Sequence, residues 1–290
     1  MRTDPRQVVV EHDGLRIAAL DWGGDGPPLV LLHPNGFCAG LFDPIAVRLR
    51  GRFRPIGVDL RAHGGTDEPA TPEGYAFEHM AADVLAVLDA LGARSMVALG
   101  ESLGGGVALV IDRQRPGFVR RLLLCEAVAF SLDFPLRQVG EGPGDGGNYM
   151  ADIARRRRAV WPDRETMIRS YGSRPPLDEL APEALDAYVR WGTVERADGE
   201  VELACRPEAE ATIFEVTSNE RGAPDAWSHL PSVQADTTVV AGTRSNLPVE
   251  WFAAQAEVAG CPFLQLDGGH FFLQEDTERA VRLVIDRLGE

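Results

Sequence analysis

Cysteine is scarce in this sequence and badly spaced for a shared role. Cys38, Cys125, Cys205 and Cys261 form no CxxC pair and no Cys/His ligand pattern. A disulfide framework or zinc knuckle is therefore not expected, and free, mostly buried thiols in a reducing cytoplasm are. Long apolar runs are missing as well: no stretch approaches the ~20 residues of a membrane span. The opening segment, Met1 to Val10, has no apolar core behind its charges, so no signal peptide is indicated. Positive charge is in deficit. Lys and Arg total 29 against 44 Asp and Glu, a formal net charge of −15. Nucleic acid and anionic membrane are poor partners for such a chain, because a phosphate backbone binds through clustered cations. The six histidines show no metal-ligand spacing. The Gly-rich stretch from Gly140 to Asn148 lacks the lysine and the strand–helix context of a phosphate loop. No metal and no cofactor are expected. No internal repeat is visible, and composition leaves a homodimer open.

What is present is ordinary globular composition, 44% hydrophobic and 25% charged, in a chain long enough to bury a proper core. The first half alternates short apolar runs with helical patterns. Arg6 to Trp22 reads as strand, turn at Asp13-Gly14, strand. "PPLVLLH" and "FRPIGVDL" are continuous apolar runs, the mark of strands buried on both faces. "FEHMAADVLAVLDALGA" has apolar residues at helical spacing, with Gly92 placed to stop it. "SMVALGE", "LGGGVALVIDRQRP" and "VRRLLLCEAV" read as strand, helix and strand. This alternation predicts an α/β fold with a mostly parallel, helix-covered sheet that binds ligands beyond the C-terminal ends of its strands. From Ser131 to Ala235 the strand-like runs give way to helical patterns, a run of arginines (Arg155 to Arg158) and several aromatics. "TTVVAG", "VEWFAAQAEVAG", "PFLQLDGG" and "ERAVRLVIDRL" then resume the alternation. The expected organisation is a core of residues 1–130 and 236–290 with a helical cap, 131–235, inserted between two sheet strands.

The strongest local signal is "ALGESLGGG". Gly100 to Gly104 fits G-x-S-x-G between an apolar strand and a helix. Small neighbours permit a sharp turn that lifts the Ser102 hydroxyl above the sheet, and the helix behind it points N–H groups at a developing oxyanion. A second signal, "DGGHFFLQED", puts His270 after the last strand and before the final helix, where a general base is useful. A third, "LLHPNGFCAGLFDP", ends a buried strand at His33 and continues in a Gly-containing loop. That loop can set the N–H of Asn35 opposite that of Leu103. His33 itself reads as structural, hydrogen-bonded beneath the loop.

These motifs, with the "DLRAHGGTD" loop of Asp59 to Asp67, resemble the α/β-hydrolase fold superfamily over roughly Val8 to Val128 and Ala235 to Leu288. The resemblance implies an eight-stranded sheet, a nucleophile elbow and a variable cap. By motif position it implies Ser102 as nucleophile, His270 as general base, and Leu103 and Asn35 as oxyanion donors. The sequence departs from the usual pattern at Glu101, where many relatives have histidine, and at Pro34, where glycine is common. The largest departure is the acid. Past the strand ending at Gly242, where an aspartate commonly sits, stand Arg244, Ser245 and Asn246. The triad needs a carboxylate on the far nitrogen of the histidine, and geometry rather than chain position defines it. Glu126, at the C-terminal end of "RRLLLCEAV", is the replacement the sequence offers. That arrangement is similar to some haloalkane dehalogenases and to fungal resorcylic-lactone hydrolases. The alternatives are that Glu126 is a strand-end carboxylate turned to solvent or paired with an arginine, and that Asn246 serves as a neutral orienter.

The cap supplies Tyr149, Trp161, Tyr171, Tyr188 and Trp191, and the core adds Phe37 and Phe271 beside the catalytic candidates. Together they read as an apolar pocket for a mid-sized substrate, although aromatics in helices also serve as core. The four arginines cannot share one helix face and read as mostly solvated, with recognition of a substrate carboxylate as the sharper alternative. The expected function is a cytoplasmic serine hydrolase that cleaves a small-molecule ester or lactone through an acyl-enzyme. A carbon–carbon bond hydrolase acting on a vinylogous diketone, or a ligand receptor on the same fold, are the alternatives. Haloalkane dehalogenation needs a carboxylate nucleophile, and position 102 is serine.

Overall fold

The computed structural model describes residues 4–131 and 148–289. The chain opens with β1 (Arg6–His12) and β2 (Leu15–Asp21), an antiparallel hairpin. Both turn residues, Asp13 and Gly14, take positive φ, the backbone twist that joins strands across a two-residue loop. Six further strands complete one sheet: β3 (Pro28–Leu32), β4 (Arg54–Val58), β5 (Met96–Glu101), β6 (Val119–Cys125), and, after three short strands that lie outside it, β10 (Asp236–Gly242) and β11 (Phe263–Leu266). Their order is β1-β2-β4-β3-β5-β6-β10-β11. β2 pairs antiparallel with β4, and every later pairing is parallel.

The parallel strands read as unbroken apolar runs because both faces are covered. In β3, Val30 and Leu32 face one core layer while Leu29 and Leu31 face the other. Helices α2 (Phe77–Ala90) and α3 (Leu103–Gln114) pack on the first layer. Helices α1 (Asp43–Leu49) and α11 (Thr277–Leu288) pack on the second. In α2 the buried Phe77, Met80, Ala81, Val84 and Leu88 follow the helical period. Gly92 ends the helix at φ 72, a conformation open to glycine.

Between β6 and β10 the described residues form helices α4 (Tyr149–Arg155), α5 (Arg164–Tyr171), α6 (Pro182–Trp191), α7 (Pro207–Thr217) and α8 (Ala223–His229). The segment is not purely helical. It also holds a small antiparallel sheet of β7 (Val160–Trp161), β8 (Thr193–Glu195) and β9 (Val201–Leu203), in the order β7-β9-β8. Strands this short carry no readable period, which hid them in the sequence. Helix α9 (Val249–Ala259) follows β10, and the short α10 (Phe272–Glu275) precedes α11. The glycine-rich stretch lies outside the described residues except for its last member, Asn148, which caps α4. No described helix is long and apolar enough to cross a membrane. All four cysteines are free, and Cys38, Cys125 and Cys205 are buried.

Candidate active site

β5 ends at Glu101 and α3 begins at Leu103, so Ser102 is the whole turn between them. Its backbone sits at φ 53, ψ −116, a region that costs a non-glycine residue about 1–3 kcal/mol. The glycines around it make the turn possible. A Cβ on Gly100 would lie 2.6 Å from the Gly104 carbonyl, and one on Gly104 would lie 2.2 Å from the Leu32 carbonyl. Backbone bonds fix the strained residue: Ser102 N donates to Cys125 O (2.9 Å) and Val128 N donates to Ser102 O (2.8 Å). The Ser102 side chain does not cap α3, and it is part-exposed while its neighbours are buried. Leu103 opens the helix, where N–H groups have no intrahelical partner.

His270 lies in the loop between β11 and α10. Its Nδ1 is 2.5 Å from Glu126 Oε2. Glu126 is fully buried and follows the last residue of β6 at φ 45, so it too is a non-glycine residue held at positive φ. Its carboxylate has two further donors: Gly242 N to Oε1 (2.8 Å) and Ser245 Oγ to Oε2 (2.7 Å). Ser245 stands past the strand end where the usual pattern has an acid, and its hydroxyl bonds to the carboxylate that lies one strand away. Among the described residues the side-chain partner of His270 is Glu126, and no hydrogen bond joins the histidine to Asn246. Sequence reasoning singled out position 245 only for lacking charge and missed this contact. The signal available was its place just past the end of β10.

The loop after β3 is fixed from below by two buried histidines. His33 Nδ1 lies 2.8 Å from Pro34 O and its Nε2 accepts from Leu60 N (3.0 Å). Burial pushes its pKa down to about 4. His63 accepts from Gly36 N through Nε2 (2.9 Å) and meets Arg61 O through Nδ1 (2.9 Å). Burial, and then His33 beside it, holds His63 well below the usual imidazole range. Asp59 accepts from Ala39 N and Gly65 N (2.7 and 3.0 Å), while burial raises it to about 6. Both histidines are therefore neutral struts for the loop that carries Asn35. Glu101 is fully buried, takes one bond from Gln274 Nε2 (2.8 Å), and is pushed up by burial to about 8.

Of the aromatic candidates, Phe37, Trp161 and Tyr188 are buried in one cluster with part-buried Tyr171, Trp191 and Phe271. Phe37 touches Tyr188 and Phe271, with ring centroids 4.6 and 5.0 Å apart, and Phe271 stands edge-on to His270 at 4.9 Å. Tyr149 is not among them. It is 44% exposed at the start of α4. The arginine run divides. Arg155 pairs with Glu208 and Glu215 at the surface, and Arg158 lies over the Trp161 ring. Arg157 turns inward instead, to Glu210 and to the hydroxyls of Tyr188 (2.7 Å) and Tyr171 (3.2 Å). Four identical residues in a row carry no local mark of this difference, which comes from the partners that packing brings to Arg157. Among the described residues no group of His, Cys, Asp or Glu is arranged to hold a metal.

Known proteins bear on this geometry. Residues 27–202 match the family described as the alpha/beta hydrolase fold. The chain is 39% identical over 124 residues to a non-heme chloroperoxidase of Streptomyces lividans, an alignment that covers 42% of this chain and 44% of that protein. The chain thus spans less than half the length of that relative. It is 27% identical over 274 residues to a 2-hydroxymuconate semialdehyde hydrolase of Pseudomonas putida, covering 92% of this chain and 89% of that one. The solved structure of Est816 as an N-acyl homoserine lactone degrading enzyme superposes with a TM-score of 0.70 at 26% identity, over 96% of this chain and 99% of that one. With the family match spanning more than half of its residues, the chain belongs to the α/β hydrolase fold family.

Proposed function

We propose that the protein is a serine hydrolase that cleaves a carboxylic ester or lactone through an acyl-enzyme on Ser102. The observation that carries the reading is the bond of 2.5 Å between His270 Nδ1 and the buried Glu126, on the same end of the sheet as the strained serine turn. With Nδ1–H committed to Glu126, the ring presents Nε2 as the basic nitrogen. Ser102 Oγ attacks the substrate carbonyl carbon as its proton passes to Nε2. The imidazolium so formed is stabilised by the Glu126 carboxylate. The oxygen that gains charge is received by the N–H groups of Leu103 and Asn35, fixed dipoles that need no reorganisation. Collapse expels the alkoxide, which takes the proton from Nε2–H. Water, activated by the same nitrogen, then attacks the acyl carbon and frees Ser102. No step requires a cofactor.

Phe271, part-buried and edge-on to His270, sets an apolar side chain beside the base, which favours an apolar substrate, and the likeness to Est816 supports a lactone among the candidates. One second reading has its own support. The relative aligned over 92% of the chain is named for hydrolysis of a semialdehyde, and the same three side chains serve carbon–carbon cleavage of a vinylogous diketone. A ligand receptor on this fold would retain the acyl group. Mass spectrometry after treatment with a fluorophosphonate tests the nucleophile: one adduct is expected, on the peptide holding Ser102. Labelling elsewhere, with unchanged activity in Ser102→Ala, removes the proposal. A panel of esters, lactones and diketones separates the substrate classes. Product in large excess over enzyme excludes the receptor.

A further inference from the structure

The loop that carries Asn35 is held from two sides, and one side belongs to the segment between β6 and β10. From the core, His63 Nε2 accepts from Gly36 N at 2.9 Å. From the inserted segment, the Tyr188 hydroxyl donates to Gly36 O at 3.0 Å, and Asn35 Nδ2 donates to the Glu210 carbonyl at 3.0 Å. Arg157 links the two. Its guanidinium donates to the Tyr188 hydroxyl at 2.7 Å and forms an ion pair with the Glu210 carboxylate. Glu210 also presses on the loop directly: a Cβ on Gly36 would lie 2.6 Å from its Oε1, and Gly36 itself holds φ 79. Tyr188 and Glu210 are both buried. Glu210 is buried and Arg157 half-buried, and such a pair is costly unless its hydrogen bonds are made. Here they are made around one glycine.

We infer that Tyr188, Arg157 and Glu210 are positioning residues that hold the Asn35–Gly36 loop in the conformation that presents the Asn35 N–H to the oxyanion. The catalytic consequence rests on the hydrolase reading above. The physical reason is that an oxyanion donor works only when fixed within a few tenths of an ångström, and a glycine-containing loop does not fix itself. The inserted segment thereby shares in building the reaction centre. Arg157, with its donors directed to Glu210 and two tyrosines, is assigned to architecture rather than to a substrate carboxylate.

Tyr188→Phe tests this with the loss of one hydroxyl, keeping the ring against Phe37. Hydrogen exchange read on the peptide spanning His33 to Cys38 is expected to speed up about five-fold or more, with the β3 and β5 peptides unchanged. With p-nitrophenyl acetate as probe, kcat is expected to fall about ten-fold while KM stays within about two-fold, the signature of an interaction felt in the transition state. A residue that merely lined the pocket would move KM instead. Arg157→Met leaves Glu210 buried and unpaired, so it is made together with Glu210→Gln, and this double variant is expected to lower kcat without an added effect of Tyr188→Phe. Arg164→Gln, which breaks bonds to Thr193 and Glu195 away from the loop, controls for general loosening and is expected to leave kcat within about two-fold. Wild-type loop exchange in Tyr188→Phe overturns the inference, and so does faster exchange with kcat within about two-fold of wild type. Fluorophosphonate labelling of the wild-type protein decides the hydrolase reading separately, and the exchange experiment reads the clamp whichever way that falls.

Discussion

Two neighbouring strand ends meet below His270, and they carry opposite chemistry. β6 runs into Glu126, which is buried and receives the histidine. β10 runs into Gly242 and Ser245, which have no charge and donate to Glu126 instead. Parallel strands lie ~4.8 Å apart, so an acid that leaves one strand end and appears on the next needs only a side chain's reach to bond the same nitrogen. The end without the acid then supplies hydrogen bonds that hold the carboxylate in place. A carboxylate with three donors is well satisfied even in a dry site. Glu101, at the end of β5, shows the contrast. It is equally buried, has one donor in Gln274, and one of its oxygens has no hydrogen-bond partner.

The largest effect should come from removing the charge at the β6 end. Glu126→Gln keeps the shape but offers a donor where the histidine needs an acceptor, and kcat should fall between about 10² and 10⁴ at saturating substrate. Normal turnover in that variant, with Asn246→Ala crippled, would reverse the comparison between the two ends. Next is the transplant. Glu126→Ser with Ser245→Asp moves the acid to β10, and kcat should recover about ten-fold or more over Glu126→Ser alone. No recovery would mean that the backbone at Glu126, and not the position of a charge, is what matters. Ser245→Ala is milder: it removes one of three donors, and should cost about 1–2 kcal/mol of stability by denaturation, with kcat reduced several-fold.

The smallest effect on turnover concerns Glu101. Burial raises its pKa from the ordinary 4.5 to about 8, so between those values the folded state holds a proton that the unfolded state has lost. Stability therefore falls as pH rises through that window, and the slope disappears once the folded group also ionises near pH 8. Glu101→Gln should flatten the decline, a difference on the order of a few kcal/mol between pH 5 and pH 8 in denaturant titrations. Equal pH slopes in the two proteins would show that Glu101 is ionised within the fold at neutral pH.

The sheet and the serine turn were legible in the sequence, for a physical reason. Strands buried on both faces must be apolar at every position, and a strand-to-helix turn this tight admits only small neighbours such as Gly100 and Gly104. Local chemistry therefore marks both. The hairpin at Asp13-Gly14 and the helix stop at Gly92 were legible on the same grounds. The inserted segment was less so. Its strands β7, β8 and β9 are too short to show a period. Tyr149 and Tyr188 look alike in sequence, yet one is 44% exposed and the other 1%. Nothing local separates Arg157 from the arginines beside it, because its partners Tyr188 and Glu210 are brought to it by the packing of α4, α6 and α7.

By itself, the sequence determined the fold class, the serine turn, and the fact that residues 245 and 246 carry no acid while the apolar run of β6 ends in a glutamate. It could nominate Glu126 but not deliver it to His270. Only the tertiary structure did that, by placing β6 between β5 and β10 and turning Glu126 inward at positive φ. The physical reason is that side-chain identity and spacing govern local conformation, whereas a contact between residues 126, 245 and 270 exists only when the sheet brings three separate strand ends together and excludes water from the carboxylate they share.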